Sequence, residues 1–109
     1  METYLFFMDG AENSALFPAS KLMFVDAADD KVTCYFEGIG IANMAFQKVD
    51  VNCADAKSGE LAKQIGDAVA AASVSKKGRV ITVADNINKV FLGNATSCGG
   101  ITLDVNAGA

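Results

Sequence analysis

Lys21–Gly38 reads KLMFVDAADDKVTCYFEG. Two apolar runs flank a polar stretch that carries Asp26, Asp29 and Asp30. After the turn, Val32, Cys34 and Phe36 fall on one face, and Thr33, Tyr35 and Glu37 on the other. Before it, the same period of two places Leu22 and Phe24 opposite Lys21, Met23 and Val25. Alternation on both sides of a short polar turn predicts a β-hairpin with one face in the core. The acidic tip has the wrong spacing for a calcium loop and lacks its glycine. Aspartate favours turns by bonding to nearby backbone, so the tip reads as a solvated bend.

Strand signals continue on both sides. Tyr4–Met8 (YLFFM) is apolar on both faces and too short for a helix, which predicts a strand covered on both sides. Asp9-Gly10 marks a turn. Ala15–Phe17 predicts a short strand ended by Pro18, the only proline, and a proline there suits an edge or a bend. Gly38–Ala42 (GIGIA) reads as a glycine-rich bend, and Met44–Cys53 as a strand with Val49, Val51 and Cys53 opposite Lys48, Asp50 and Asn52.

The period then changes. Leu61, Ile65, Ala68, Val69 and Ala72 form one helical stripe. Ser58 suits the start of that helix and Glu60 its first turn, while Lys63 and Asp67 can pair one turn apart. Lys76 and Lys77 suit its end, and Gly78 can stop it. Arg79–Ala84 (RVITVA) returns to β, Asp85–Asn88 (DNIN) is turn chemistry, and KVFLG pairs back. NATSCGG (Asn94–Gly100) reads as a loop, and ITLDV as a last strand. The fold class expected is mainly β with one α-helix: a single domain over residues 1–109, a strongly bent small barrel or roll with the helix packed on one side.

At 109 residues, 51% apolar and 20% charged, the chain can bury a core without staples. It has no histidine, which removes the Ser-His and Cys-His dyads and most transition-metal sites. Cys34, Cys53 and Cys98 are widely spaced, form no C-x-x-C, and read as free thiols. GNATSCGG lacks the G-K-[ST] ending of a phosphate loop. No enzyme chemistry and no cofactor is expected. No apolar run approaches a membrane span, and METYLFFMDGAE has no basic region before its apolar run, so the default expectation is a cytoplasmic protein with no membrane partner. The net charge of −4 repels phosphate at long range and leaves local basic patches open.

One such patch is KKGR: Lys76, Lys77 and Arg79. It has two readings, a solvated helix end or an edge that contacts phosphates. Stacking on a base needs an exposed aromatic ring, for which Tyr4, Tyr35 and Phe91 are candidates, with core packing as the alternative for each.

FPASKLMFVD, VTCYFE and RVITVAD together resemble a family of small uncharacterised proteins from marine viral and cyanophage-like metagenomic sequences, with an Sm-like (LSm) β-barrel architecture. That resemblance implies a homo-oligomeric ring assembled by strand pairing between subunits, a phage origin with the host cytoplasm as compartment, and binding of RNA or single-stranded DNA in a nucleic-acid processing role. Asp85 and Asn86 are similar to the aspartate and asparagine of the Sm base-binding loop. Sm proteins open with a helix followed by five strands, whereas here the helix is central and no arginine precedes Gly93. The alternative is a phage structural or assembly protein that contacts only protein, which the acidic pI of about 4.6 and the apolar strands fit equally.

Overall fold

The computed structural model describes residues 3–37, 46–73 and 79–103. The hairpin is present as β3 (Leu22–Ala27) and β4 (Lys31–Glu37), closed by Ala28 N donating to Lys31 O at 2.8 Å. The carboxylates of Asp26, Asp29 and Asp30 lie on exposed residues. The backbone of the tip is in use, however. Asp30 O accepts from Cys53 N at 2.8 Å and Asp29 O from Ala56 N at 2.9 Å. The tip thus holds the end of β5 (Phe46–Cys53) and the segment leading into α1 (Ser58–Ser73).

One detail of the hairpin departs from strict alternation. Leu22 pairs with Phe36, but Phe24 pairs with Tyr35, so Met23 is an extra residue in β3. A bulge of this kind flips every side chain beyond it. Leu22 and Val25 therefore pack against the core, and Phe24 joins Tyr35 on the outer face, contrary to the pattern expected from a period of two.

The remaining strands are β1 (Thr3–Gly10), β2 (Asn13–Pro18), β6 (Arg79–Asp85), β7 (Val90–Phe91) and β8 (Ala95–Leu103). A 3-10 turn at Ala19–Lys21 joins β2 to β3. β1 runs through the expected Asp9-Gly10 turn, and Pro18 ends an edge strand as expected. The Asn94–Gly100 segment is mostly strand rather than loop. β8 holds its antiparallel pairing with β5 through extra residues at Thr96 and Gly99. At Gly99 a Cβ would sit 3.2–3.3 Å from Asn52 and Asp50, so the glycine is a close-approach residue of a sheet. The Gly38–Ala42 bend, the Met44–Ala45 end of the expected strand, and Lys76, Lys77 and Gly78 lie outside the described residues.

The strands form two four-stranded sheets, β2-β1-β6-β7 and β3-β4-β5-β8. The class is mainly β with one helix. Among the described residues the ladders make two sheets and not a single closed ring of strands, because β2, β7, β3 and β8 each have one strand partner, and within the first sheet β1 pairs in parallel with β6. A parallel pair needs a long crossover, and the second sheet's first three strands and α1 lie within it.

The inner faces meet at three rings. Phe17 of β2 stacks on Phe36 of β4, with centroids 4.1 Å apart and planes 8° apart. Phe7 meets both rings edge-on at 6.0 Å. Leu5, Val32, Cys34, Val49, Val51 and Val83 surround them. Each such side chain contributes about 1.5–3 kcal/mol by leaving water. From α1, Leu61 and Ile65 enter the same core, and the helix approaches strands of both sheets. The helical stripe is as expected. The exposed Lys63 and Asp67 do not pair with each other, and among the described residues the ion pair of this helix is Lys57 with Glu60 at 3.5 Å.

Candidate nucleic-acid interface

The outer face of the second sheet presents side chains that strand alternation turns away from the core. Phe24 and Tyr35 stack there with centroids 4.6 Å apart and planes 19° apart. Phe24 is 52% exposed and Tyr35 is half-buried. Lys48 of β5 stands opposite Tyr35 in register. Next along the same face, Thr33 Oγ1 donates to Asp50 Oδ1 at 2.8 Å, and Lys31 Nζ lies 3.7 Å from Asp50 Oδ2. Asn52 Nδ2 donates to Ser97 Oγ at 2.9 Å. At the other end Lys21 lies 3.7 Å from Glu37. Two of the three lysines thus have carboxylate partners, and Lys48 has none among the described residues. The face offers an aromatic platform with one uncommitted cation beside it.

The expected site residues are dispersed. Tyr35 is on this face. Arg79 is exposed at the start of β6, opposite Thr3, in the other sheet. Lys76 and Lys77 lie outside the described residues. Of the other aromatic candidates, Tyr4 is half-buried on the outer face of the first sheet, and Phe91 packs against the core.

Asp85 and Asn86 have their polar atoms engaged within the protein. Asp85 Oδ1 accepts from the backbone N–H groups of Ile87 and Asn88, each at 3.0 Å, and Oδ2 accepts from Asn88 Nδ2 at 2.9 Å. The Asn88 backbone N–H, then the Asn88 side chain, hold its carboxyl below the usual range against the opposing effect of burial, with Ile87 N–H adding to them. Asn86 Nδ2 donates to Asp9 O and to Cys98 O, each at 3.0 Å, and Asn86 Oδ1 accepts from Cys98 N at 2.7 Å. The pair builds the β6–β7 turn and ties the two sheets together.

Cys98 is a buried strand residue, not a loop thiol. Burial, then the charge of Asp9, pushes it up to about 11. Burial likewise pushes Cys34 up to about 12, and raises Cys53. Thiols this far from their thiolate forms are poor nucleophiles at neutral pH. Among the described residues no group of three or more cysteine, aspartate or glutamate side chains gathers to hold a metal ion, and no helix is long and apolar enough to cross a membrane.

Phe24 and Lys48 are the members of this face that sequence reading does not single out. The bulge at Met23 hides Phe24, and Lys48 meets Tyr35 only through the β4–β5 register. Comparison with protein-family models, curated proteins and solved structures finds no match to this chain.

Proposed function

We propose that the protein is a non-enzymatic binding module that takes single-stranded RNA or DNA on the outer face of its second sheet. The observation that carries this reading is the stacked Phe24–Tyr35 pair on the outer sheet face, with Phe24 52% exposed and Lys48 beside it. Any base has a π-face, so an exposed aromatic platform accepts single strands with little regard to sequence, and a nearby cation takes a phosphate. A role in handling phage nucleic acid fits this chemistry and the Sm-like resemblance. Fluorescence anisotropy with labelled single-stranded RNA and DNA, at low and near-physiological salt, tests it. Binding is expected with the native chain, and loss of about 1–3 kcal/mol, roughly 5- to 150-fold, in Tyr35→Ala. A native chain indifferent to both strands overturns the proposal.

The second reading is a phage assembly protein that makes only protein contacts. It is favoured by a different surface, the outer face of the first sheet, where Tyr4, Phe6, Met8, Leu16, Pro18 and Val80 present apolar side chains. It predicts an assembly that forms without nucleic acid and ignores it.

A further inference from the structure

Four strands stand at sheet edges: β2 and β7 in the first sheet, β3 and β8 in the second. Three of them are poor templates for another strand. β7 has two residues, β3 is interrupted by its bulge at Met23, and β8 is interrupted at Thr96 and Gly99. Short length and bulges are the usual means by which sheet edges avoid pairing with other chains. β2 differs. From Ser14 to Pro18 it pairs with β1 without a shift, so its free side offers a regular row of backbone groups up to Phe17, before Pro18 lacks an N–H. Its sequence, NSALFP, has no charge to discourage a neighbour.

The face that continues from this edge is also uncharged. Ser14, Leu16 and Pro18 share it with Met8, Phe6 and Tyr4, and then with Thr82 and Val80. Leu16 is 51% exposed and Val80 57%. The acids nearest the strand, Glu12 and Asp9, lie at its Asn13 end, where Asp9 Oδ2 accepts from Asn13 Nδ2 at 3.2 Å, and Asp85, opposite Met8, is bonded into its own turn, so Ser14–Pro18 itself carries no charge. This bears on the occupant. Two copies of a chain with net charge −4 repel each other, and they meet most easily where neither presents a charge.

We infer that β2 pairs antiparallel with β2 of a second copy about a two-fold axis near Ala15–Leu16, joining the two first sheets into one eight-stranded sheet. A strand paired with itself about a two-fold axis is self-complementary, so the contact closes at a dimer. The second sheet's outer face takes no part, so this inference stands or falls independently of oligonucleotide binding.

Light scattering on the full chain, without nucleic acid, from about 1 to 100 µM tests it. A mass of twice the chain is expected. Leu16→Lys is expected to return the mass to that of one chain while the far-ultraviolet circular dichroism stays native, because the residue is exposed and a lysine blunts a strand edge. Leu16→Cys provides a second test that leaves the edge uncharged. A disulfide-linked dimer is expected on mild oxidation, while the native chain, whose described cysteines are all buried, yields none. A native chain that stays monomeric, a dimer that Leu16→Lys leaves intact, or a Leu16→Cys chain that never crosslinks would each overturn the inference.

Discussion

The side-chain amide of Asn86 pairs with the backbone of Cys98 as a residue of a neighbouring strand would, its Oδ1 accepting from Cys98 N at 2.7 Å and its Nδ2 donating to Cys98 O at 3.0 Å. Asn86 follows the last residue of β6, and its own N–H donates to Met8 O at 3.0 Å. One residue therefore extends the first sheet by its backbone and grips the second by its side chain. Without it the Cys98 N–H and carbonyl lose their partners where the two sheets meet.

Asn86→Ala is expected to lose about 1–3 kcal/mol of stability in urea unfolding, the cost of leaving partly buried backbone groups unpaired. Asn86→Asp should be no better, although it is closer in shape. A carboxylate cannot donate to Cys98 O or Asp9 O, and it would face the Asp9 carboxylate. An Asn86→Asp protein as stable as the native one would show that the amide does not join the sheets.

Gly93 makes a second tie, between α1 and the turn that leads into β8. Its φ is +54°, and a Cβ there would overlap the side-chain amide of Gln64, 2.5 Å from its Cδ. Gln64 Oε1 accepts from Asn94 N at 2.8 Å. Gly93→Ala thus meets both left-handed backbone strain, about 1–2 kcal/mol, and displacement of that hydrogen bond. Its midpoint in thermal unfolding should fall by more than that of Gln64→Ala, which removes the hydrogen bond alone. A Gly93→Ala midpoint equal to or above that of Gln64→Ala would refute this account.

How much of this was legible in the sequence follows from what each element depends on. The β3–β4 hairpin and the α1 stripe depend on period and local turn chemistry, and both are legible in the sequence. The parallel β1–β6 pair depends on two strands far apart in the chain, and no local pattern marks it. Only the end of β8 is legible, in ITLDV, because Gly99-Gly100 and the polar residues before them look like a loop, yet glycine is what the close approach to Asn52 requires. Tyr35 is legible as a stacking candidate, with core packing as its alternative, and the β4 register decides for the outer face. Its partner Phe24 is not so legible, since one bulged residue at Met23 reverses the face that alternation assigns.

The buried thiols set an alkaline limit. An unfolded cysteine titrates near pH 8.5, whereas Cys98 and Cys34 in the folded chain are pushed up to about 11 and about 12. The folded state therefore holds more protons above about pH 8.5, and stability must fall as pH rises from there. Below that pH these groups are protonated in both states and have no effect. Urea midpoints should be flat with respect to Cys34 and Cys98 from neutral pH to about 8 and decline towards pH 10. Cys34→Ala/Cys98→Ala, though less stable throughout, should decline less steeply. In the native chain the thiols should react slowly with a disulfide reagent at pH 7 and rapidly in urea. Prompt reaction of Cys98 in the folded protein would contradict its burial.

The salt dependence of oligonucleotide binding distinguishes the Phe24–Tyr35 platform from the KKGR group as the source of affinity. Lys21 and Lys31 already face Glu37 and Asp50, so a strand on the second sheet finds Lys48 as its readiest cation. Each phosphate neutralised on a single strand contributes a slope of about −0.7 in log K against log salt. One contact predicts a shallow slope, with most of the affinity from stacking and insensitive to salt. Lys48→Ala should flatten the slope further at modest loss of affinity. Tyr35→Ala and Phe24→Ala should lower affinity at every salt concentration and leave the slope unchanged. If Lys76, Lys77 and Arg79 carry the phosphates instead, their joint replacement by alanine will remove a slope of about −2, and Tyr35→Ala will matter little. The two patterns are opposite in both variants, so a single set of titrations decides which surface meets the strand.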